Sequence, residues 1–419
     1  MSASHKKTKK RPQPLYTGIE GDKTHHLTGP FLPQTPLGGT PRSASPAFRV
    51  NFTQRSAFIR WAIDPALSFK ICLLPVILWL NWKLLAPYAD PGAPNPFSIF
   101  LISGYIPTSS PEDPRYRKTW WDIPFIMFYV VFFSFVRQTL AIRVSRPLAK
   151  YFGLRSEGKL DRFGEQMYAF LYFMVFGAWG YRVMLQLPTY WYKTSALWEG
   201  GTILSSGIPD FLRPVIGYPH WDMKPDLKAY YLVQFGYWWQ QLVVLVLGLE
   251  KPRKDYHELV AHHFVTLWLI GWSYLVNLTL IGNAVYMSMD IPDTFLAFSK
   301  LLNYIQWNTA KVYAFGIFFA IWTYFRHYLN ILILWSVWFE EPTLPQSVKH
   351  WSWEEGVYLP NWMKYQIFIP LFLLQCLNLF WYYYMFKILV RGLMTNEVDD
   401  HRSDDEGDDD DNADDKKND

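Results

Sequence analysis

Two adjacent histidines, His262 and His263, head one apolar run, and two aspartates, Asp290 and Asp293, lie inside the next, in VAHHFVTLWLIGWSYLVNLTLIGNAVYMSMDIPDTFLAF. An imidazole can take or give a proton near neutral pH, and a carboxylate on its second nitrogen fixes the tautomer and supports the positive ring. An aspartate at mid-membrane costs about 2.5–3.5 kcal/mol on insertion scales, so two in one apolar run imply a use. At i and i+3 they share a helical face, and Pro292 between them removes a backbone donor and favours a kink toward a polar cavity. The alternative is a hydrogen-bonded pair that braces a helix bundle.

Steps of four put Glu258, His262 and Thr266 on one face of the preceding helix, with His263 on the neighbouring face and pointing elsewhere. Ser273, Tyr274 and Asn277 continue a polar streak toward the far leaflet. So little chain separates the two runs that their helices are expected to form an antiparallel pair. In that register the aspartates lie level with Ser273 to Asn277 rather than with His262, so contact with the histidine needs a register shift or the Pro292 kink. Metal ligation is the rival chemistry. His257-x4-His262-His263 superficially resembles one histidine box of the membrane di-iron enzymes, but the ten histidines form no second or third box. No metal is therefore expected, and a zinc site of two His and two Asp is the one metal alternative the residues leave.

The elements that must position these groups follow from the hydropathy pattern. The chain has 419 residues, 50% of them hydrophobic, with 21 Trp, 27 Tyr and 31 Phe, yet polar segments at both ends bring the mean hydropathy near zero. Apolar runs of about 20 residues alternate with loops rich in Trp and Tyr, the pattern of repeated membrane spans with aromatic belts. An all-α polytopic membrane protein is expected, with spans at roughly 66–86, 122–142, 164–186, 229–249, 259–280, 283–304, 312–335 and 366–390. Cys72 and Cys376 both lie in apolar runs, so no disulfide framework is expected. The net charge of +4 sums a basic front and an acidic tail and does not suggest a nucleic-acid partner.

Basic residues orient the spans. Arg42, Arg49, Arg55 and Arg60 precede the first; Arg143, Arg146, Lys150, Arg155, Lys159 and Arg162 follow the second; Lys251, Arg253 and Lys254 precede the fifth. With eight spans all three clusters fall on one side, which places both termini in the cytosol. Asn51-Phe52-Thr53 is a glycosylation acceptor pattern that should then stay unmodified. The ending Lys416-Lys417-Asn418-Asp419 resembles the dilysine address of endoplasmic reticulum proteins, and Ser403 precedes an acidic run like a kinase site. In span seven, Arg326 lies far enough from a helix end to invite a phosphate or carboxylate partner, unless it snorkels or pairs with an aspartate of a neighbouring span.

HHFVTLWLIGWSYLVNLTLIGNAVYMSMDIPDTFLAFSK closely resembles the signature of the ceramide synthases, in which a double histidine, an SYxxN element and DxxD followed by a leucine and a lysine recur in order. Lys159-x-x-Arg162-Phe163-x-Glu165 resembles the start of their shared TLC domain, and LEKPRKDYHE is similar to the fungal members. The resemblance covers roughly residues 55 to 392. It implies a TLC-type helical barrel or bundle around a lipid-accessible cavity. The implied divisions are a basic segment 1–60, two helices within 61–158, a catalytic domain 159–392 and an acidic tail 393–419. GTILSSGIPDFLRPVI, 201–216, is inserted relative to the family, as a luminal loop or an unspliced intron, and is expected to be poorly ordered.

The activity implied is acylation of a sphingoid-base amine by a fatty acyl-CoA, giving ceramide or dihydroceramide at the endoplasmic reticulum. Acyl-CoA is a co-substrate and no cofactor is implied. His262, His263, Asp290 and Asp293 are the implied catalytic residues. Glu258, Thr266, Ser273, Tyr274, Asn277 and Arg326 would support the polar cavity, and Lys251, Arg253 and Lys254 would meet the CoA phosphates. The resemblance also implies a small single-span partner subunit, or a homo- or heterodimer. A TLC-type lipid-remodelling protein and a non-catalytic sphingolipid carrier or sensor remain the competing classes.

Overall fold

The computed structural model describes residues 59–89, 94–187, 222–250, 255–344, 346, 349–353 and 357–395. Asn51, the 201–216 insertion, Lys251, Arg253, Lys254, Ser403 and the Lys416-Lys417 ending lie outside them. Ten α-helices form among the described residues: α1 Pro65–Ala89, α2 Asp122–Leu140, α3 Arg146–Tyr151, α4 Glu157–Leu185, α5 Pro225–Val246, α6 Tyr256–Leu275, α7 Thr279–Tyr304, α8 Asn308–Trp322, α9 Asn330–Trp335 and α10 Met363–Thr395. A π-helical turn, Ala141–Ser145, joins α2 to α3, and a longer one, Thr323–Leu329, joins α8 to α9. A two-residue hairpin pairs Trp351 with Tyr358 and Ser352 with Val357.

Each of the eight apolar runs falls mainly on helix, the fourth running past the end of α5 and the fifth past the end of α6. Five stretches, Pro65–Tyr88, Asp122–Tyr151, Glu157–Leu185, Asn308–Glu340 and Met363–Gly392, are long and apolar enough to cross a membrane, which makes this a multi-pass membrane protein. Helices α5, α6 and α7 fall short in composition because they carry buried polar residues such as Gln234, Gln240, His262, His263, Asn283 and Asp290. The apolar helices face outward instead: Leu84 and Leu85 on α1 are 69% and 66% exposed, whereas Tyr230 and Tyr231 on α5 are fully buried. Lipid and protein thus sort the helices by polarity.

Helices α4, α5, α6, α10, the α8–α9 rod and α7 pack in that order, and α7 returns to α4, closing a ring. Helix α2 packs against α5, and α1 against α2. Helices α6 and α7, joined by a short turn, stay in contact as expected of a pair, while α6 also packs along α5 and α10 and α7 along α4 and α8. The turn itself is tight because Asn277 adopts φ 66°, the left-handed region that asparagine tolerates better than most residues.

A segment between α1 and α2 crosses the end of the ring where α6 stops and α5 starts. Tyr116 and Met223 exchange backbone hydrogen bonds of 2.9 Å, and the Arg117 amide donates to Gly104 O at 2.8 Å. Gly104 has φ 81°, and a Cβ there would overlap the Arg117 carbonyl. Lys228 Nζ donates to Asp122 Oδ1 at 2.8 Å, Ser103 O at 2.8 Å and Arg117 O at 2.7 Å. Lys118 Nζ donates to the last carbonyls of α6, Tyr274 O at 2.8 Å and Leu275 O at 2.7 Å, where a cation also meets the negative end of the helix. Burial lowers the Lys118 ammonium to about 7, although Asp122 opposes the shift.

Candidate active site

The ring encloses a cavity of about 290 Å³ whose walls include His262, His263, Asp293, Trp238, Arg326 and Trp381. A smaller cavity of about 50 Å³, lined mainly by apolar groups of α6, α7 and α10 with Tyr231, Thr266 and Ser273, lies beside it. His262 and Trp238 line both, so they form the partition between the two spaces.

Helix α6 delivers both imidazoles. The expectation that His263 points elsewhere is corrected: successive residues are about 100° apart on a helix, and the cavity wraps a sector wide enough to take both. Each is only 7% exposed. Trp238, His263 and Trp381 surround the His262 ring edge-on at 5.8, 5.7 and 5.5 Å. His263 Nδ1 lies 2.8 Å from Leu259 O, a contact that only an N–H can make, so its Nε2 carries the lone pair when the ring is neutral. His262 Nδ1 has no hydrogen-bond partner among the described residues, which leaves its tautomer open to whatever enters the cavity.

Helix α7 separates its two aspartates. Asp293 lines the large cavity and accepts from Arg326 Nη2 at 2.7 Å. The Arg326 guanidinium also donates to Asn378 Oδ1 at 3.0 Å and Met289 O at 3.1 Å, and lies 4.3 Å from the Trp322 ring centre. The π-helical turn containing Arg326 widens the helix and brings Arg326 and His327 inward together, a distortion common at functional sites. Asp290 lines neither cavity. It is fully buried, with Oδ2 accepting from Gln234 Nε2 at 2.5 Å, and Gln234 in turn meets the hydroxyls of Tyr230 and Tyr172.

The depth mismatch expected between histidine and aspartate also disappears. His262 lies thirteen residues before Leu275, the end of α6, and Asp293 fourteen after Thr279, the start of α7, so an equal rise per residue brings them level. The boundaries inferred from hydropathy had extended α6 past the turn. Thr266 and Ser273 line the small cavity, with Ser273 hydrogen-bonded to the Tyr231 hydroxyl. Tyr274 lines neither cavity and donates to Asp122 at 2.8 Å, while Asn277 forms the turn and Glu258 is outside both linings. Among the described residues no three His, Cys, Asp or Glu side chains converge as a metal-ligand set.

A TLC domain is matched over residues 162–387, from within α4 to near the end of α10, more than half of the chain. Sphingosine N-acyltransferase lac1 of Schizosaccharomyces pombe is 40% identical over 340 residues, covering 80% of this chain and 81% of that protein. The chain belongs to the ceramide synthase family of TLC-domain proteins. Ceramide synthase LAG1 of Saccharomyces cerevisiae is 37% identical over 319 residues, 74% of this chain and 70% of that one. Sphingosine N-acyltransferase-like protein FUM17 of Gibberella moniliformis is 38% identical over 291 residues, 69% and 70%.

Several residues of this family member were not singled out from the sequence as parts of a site. Gln234, Trp238, Asn378 and Trp381 come from helices with no chemical motif, and only their polar or bulky character in apolar runs could have marked them. Glu165 and Lys300 belong to the motifs that carried the resemblance, and both line the large cavity.

Proposed function

We propose that this protein transfers a fatty acyl group from acyl-CoA to the amine of a sphingoid long-chain base, releasing CoA and forming ceramide or dihydroceramide. The observation that carries this is His262 at the partition between the larger, more polar cavity and an apolar one, with His263 beside it in the larger cavity and an aspartate held by an arginine in the same wall. The names of the relatives support the same activity.

A thioester carbonyl beside His262 would have its acyl chain directed toward the apolar cavity and its thiol arm toward the polar one. A sphingoid amine is mostly protonated at neutral pH and must lose a proton before or during attack. A neutral imidazole takes that proton; the amine nitrogen bonds to the carbonyl carbon, the tetrahedral oxyanion collapses, and CoA thiolate departs and is protonated. In the covalent alternative an imidazole attacks first and CoA leaves, and the amine then resolves an acyl-histidine. Exclusion of water by the ring of helices suits either route, since an activated acyl group in bulk water would hydrolyse. Asp293, fixed by Arg326, would hold the incoming ammonium and stabilise positive charge on the imidazole. Asp290 would shape the wall behind it through Gln234.

The same reading takes all eight long helical rods as spans, with both termini cytosolic, in the endoplasmic reticulum membrane, with no resident cofactor and with a small single-span subunit or a second copy as partner. Incubation of purified protein with labelled dihydrosphingosine and acyl-CoAs of several lengths tests the activity. Labelled amide is the expected result, and its absence with every donor, alone or with membranes of a cell expressing the chain, overturns the reading. Acyl-CoA trapping before addition of the amine separates the routes, because only the covalent one leaves an acyl mass on the peptide containing His262 and His263.

A further inference from the structure

The polar cavity extends away from the histidines to the end of the ring where α7 stops and α8 begins. Asp293, Leu296, Ala297 and Lys300 line it along one face of α7, so Lys300 stands two turns, about 10 Å, beyond the aspartate. Lys311, on the first turn of α8, lines the same space, and its Nζ donates to Asn303 Oδ1 at 3.0 Å. Both lysines are half-buried. Helix α8 has no side-chain cap at its start, so its first amides also present partial positive charge to this end.

The acidic groups here are already engaged. Glu165 accepts from Arg162 at 2.9 Å, Glu250 from Arg137 at 2.7 Å, and Asp255 from Trp381 Nε1 at 3.0 Å. An anion entering this mouth meets two lysines on the cavity wall.

We propose that Lys300 and Lys311 form the subsite for the phosphate groups of the acyl-CoA donor. The assignment rests on the acyltransfer reading, which leaves the thiol arm of the donor pointing toward this end. It differs from the sequence-based expectation that Lys251, Arg253 and Lys254 meet CoA, since Lys300 and Lys311 belong to the cavity wall itself. An ammonium is a compact donor to phosphate oxygens, and such charge-assisted hydrogen bonds are among the stronger ones available.

The test compares two donors, an acyl-CoA and the matching acyl-pantetheine thioester, which lacks every phosphate. With the parent protein the KM for acyl-CoA should be the lower. In Lys300→Gln/Lys311→Gln that gap should shrink on the order of tenfold or more, and Lys300→Arg/Lys311→Arg should largely restore it. Adenosine 3′,5′-bisphosphate should inhibit the unmodified protein competitively with acyl-CoA, a measurement that requires no variant to fold. Equal KM for both donors in the parent, a gap that survives the double Gln change, or a gap lost only when Lys251, Arg253 and Lys254 are replaced would each overturn the assignment. No amide from either donor with the parent would overturn the activity itself, a result distinct from a loss that ignores the phosphates.

Discussion

Helix α6 carries a polar cluster at each end, and the two are built on opposite plans. At its C-terminal end Lys228 uses all three ammonium protons on Asp122, Ser103 O and Arg117 O, while Asp122 also accepts from Tyr274 and the Thr119 amide. Nearer its N-terminal end, His262 Nδ1 and Arg326 Nε have no partner among the described residues, and the rings border open space. Buried polar groups that satisfy one another fasten a fold. Those left without a partner beside a cavity cost stability and await a ligand. A carboxylate and a basic group in one membrane helix bundle therefore do not by themselves mark a site; unspent hydrogen-bonding capacity next to a void does.

The contrast makes opposite predictions for substitutions at the two ends. The largest effect should be on turnover: His262→Ala should lower amide formation about a hundred- to ten-thousand-fold while thermal unfolding in detergent barely changes. Parental turnover in the His262→Ala/His263→Ala protein would break the comparison and favour a carrier. At the sealed end, Lys228→Met should destabilise by about 3–5 kcal/mol because it strands Asp122, with chemistry per folded molecule preserved. Adding Asp122→Leu should recover part of the loss, and failure to recover any would mean that Lys228 acts through something other than the pair.

A smaller effect is expected between the two ends, where Gly282 lines the apolar cavity and a Cβ would run into the Tyr231 hydroxyl. Gly282→Ala should cost about 1–3 kcal/mol and reduce products from long acyl-CoAs more than those from short ones. An unchanged chain-length profile would separate that cavity from the acyl chain.

The last effect concerns pH. Lys118 titrates at about 7 in the fold and at the ordinary lysine value of 10.5 when unfolded. Between those values the unfolded chain holds a proton that the folded chain lacks, so this group makes stability rise with pH across the window. Neutral Lys118 retains enough N–H donors for both α6 carbonyls. The melting temperature of the parent, relative to Lys118→Gln, should climb from pH 7 toward pH 10, and a falling difference would contradict the burial of this group.

By itself the sequence determined that the chain is helical, where each apolar run lies and which ionisable residues fall inside those runs, because a run of lipid-length apolar residues can do little but form helix and an ionisable residue inside one is costly. The family signature was readable for the same reason: its histidines and aspartates lie within about 30 residues of each other. Only the tertiary structure decided which of them share a space. Hydropathy could not locate the end of α6, since Val276 and Leu278 in the turn are as apolar as the helix, and an error of a few residues there moved Asp293 out of level with His262. Nor could it divide the aspartates, which differ only in which neighbouring helix each one faces: α5 supplies Gln234 to Asp290, and the π-helical turn beyond α8 supplies Arg326 to Asp293. Spacing along one helix fixes a residue's direction, but whether that direction holds a partner, a wall or a cavity depends on chain arriving from elsewhere in the ring.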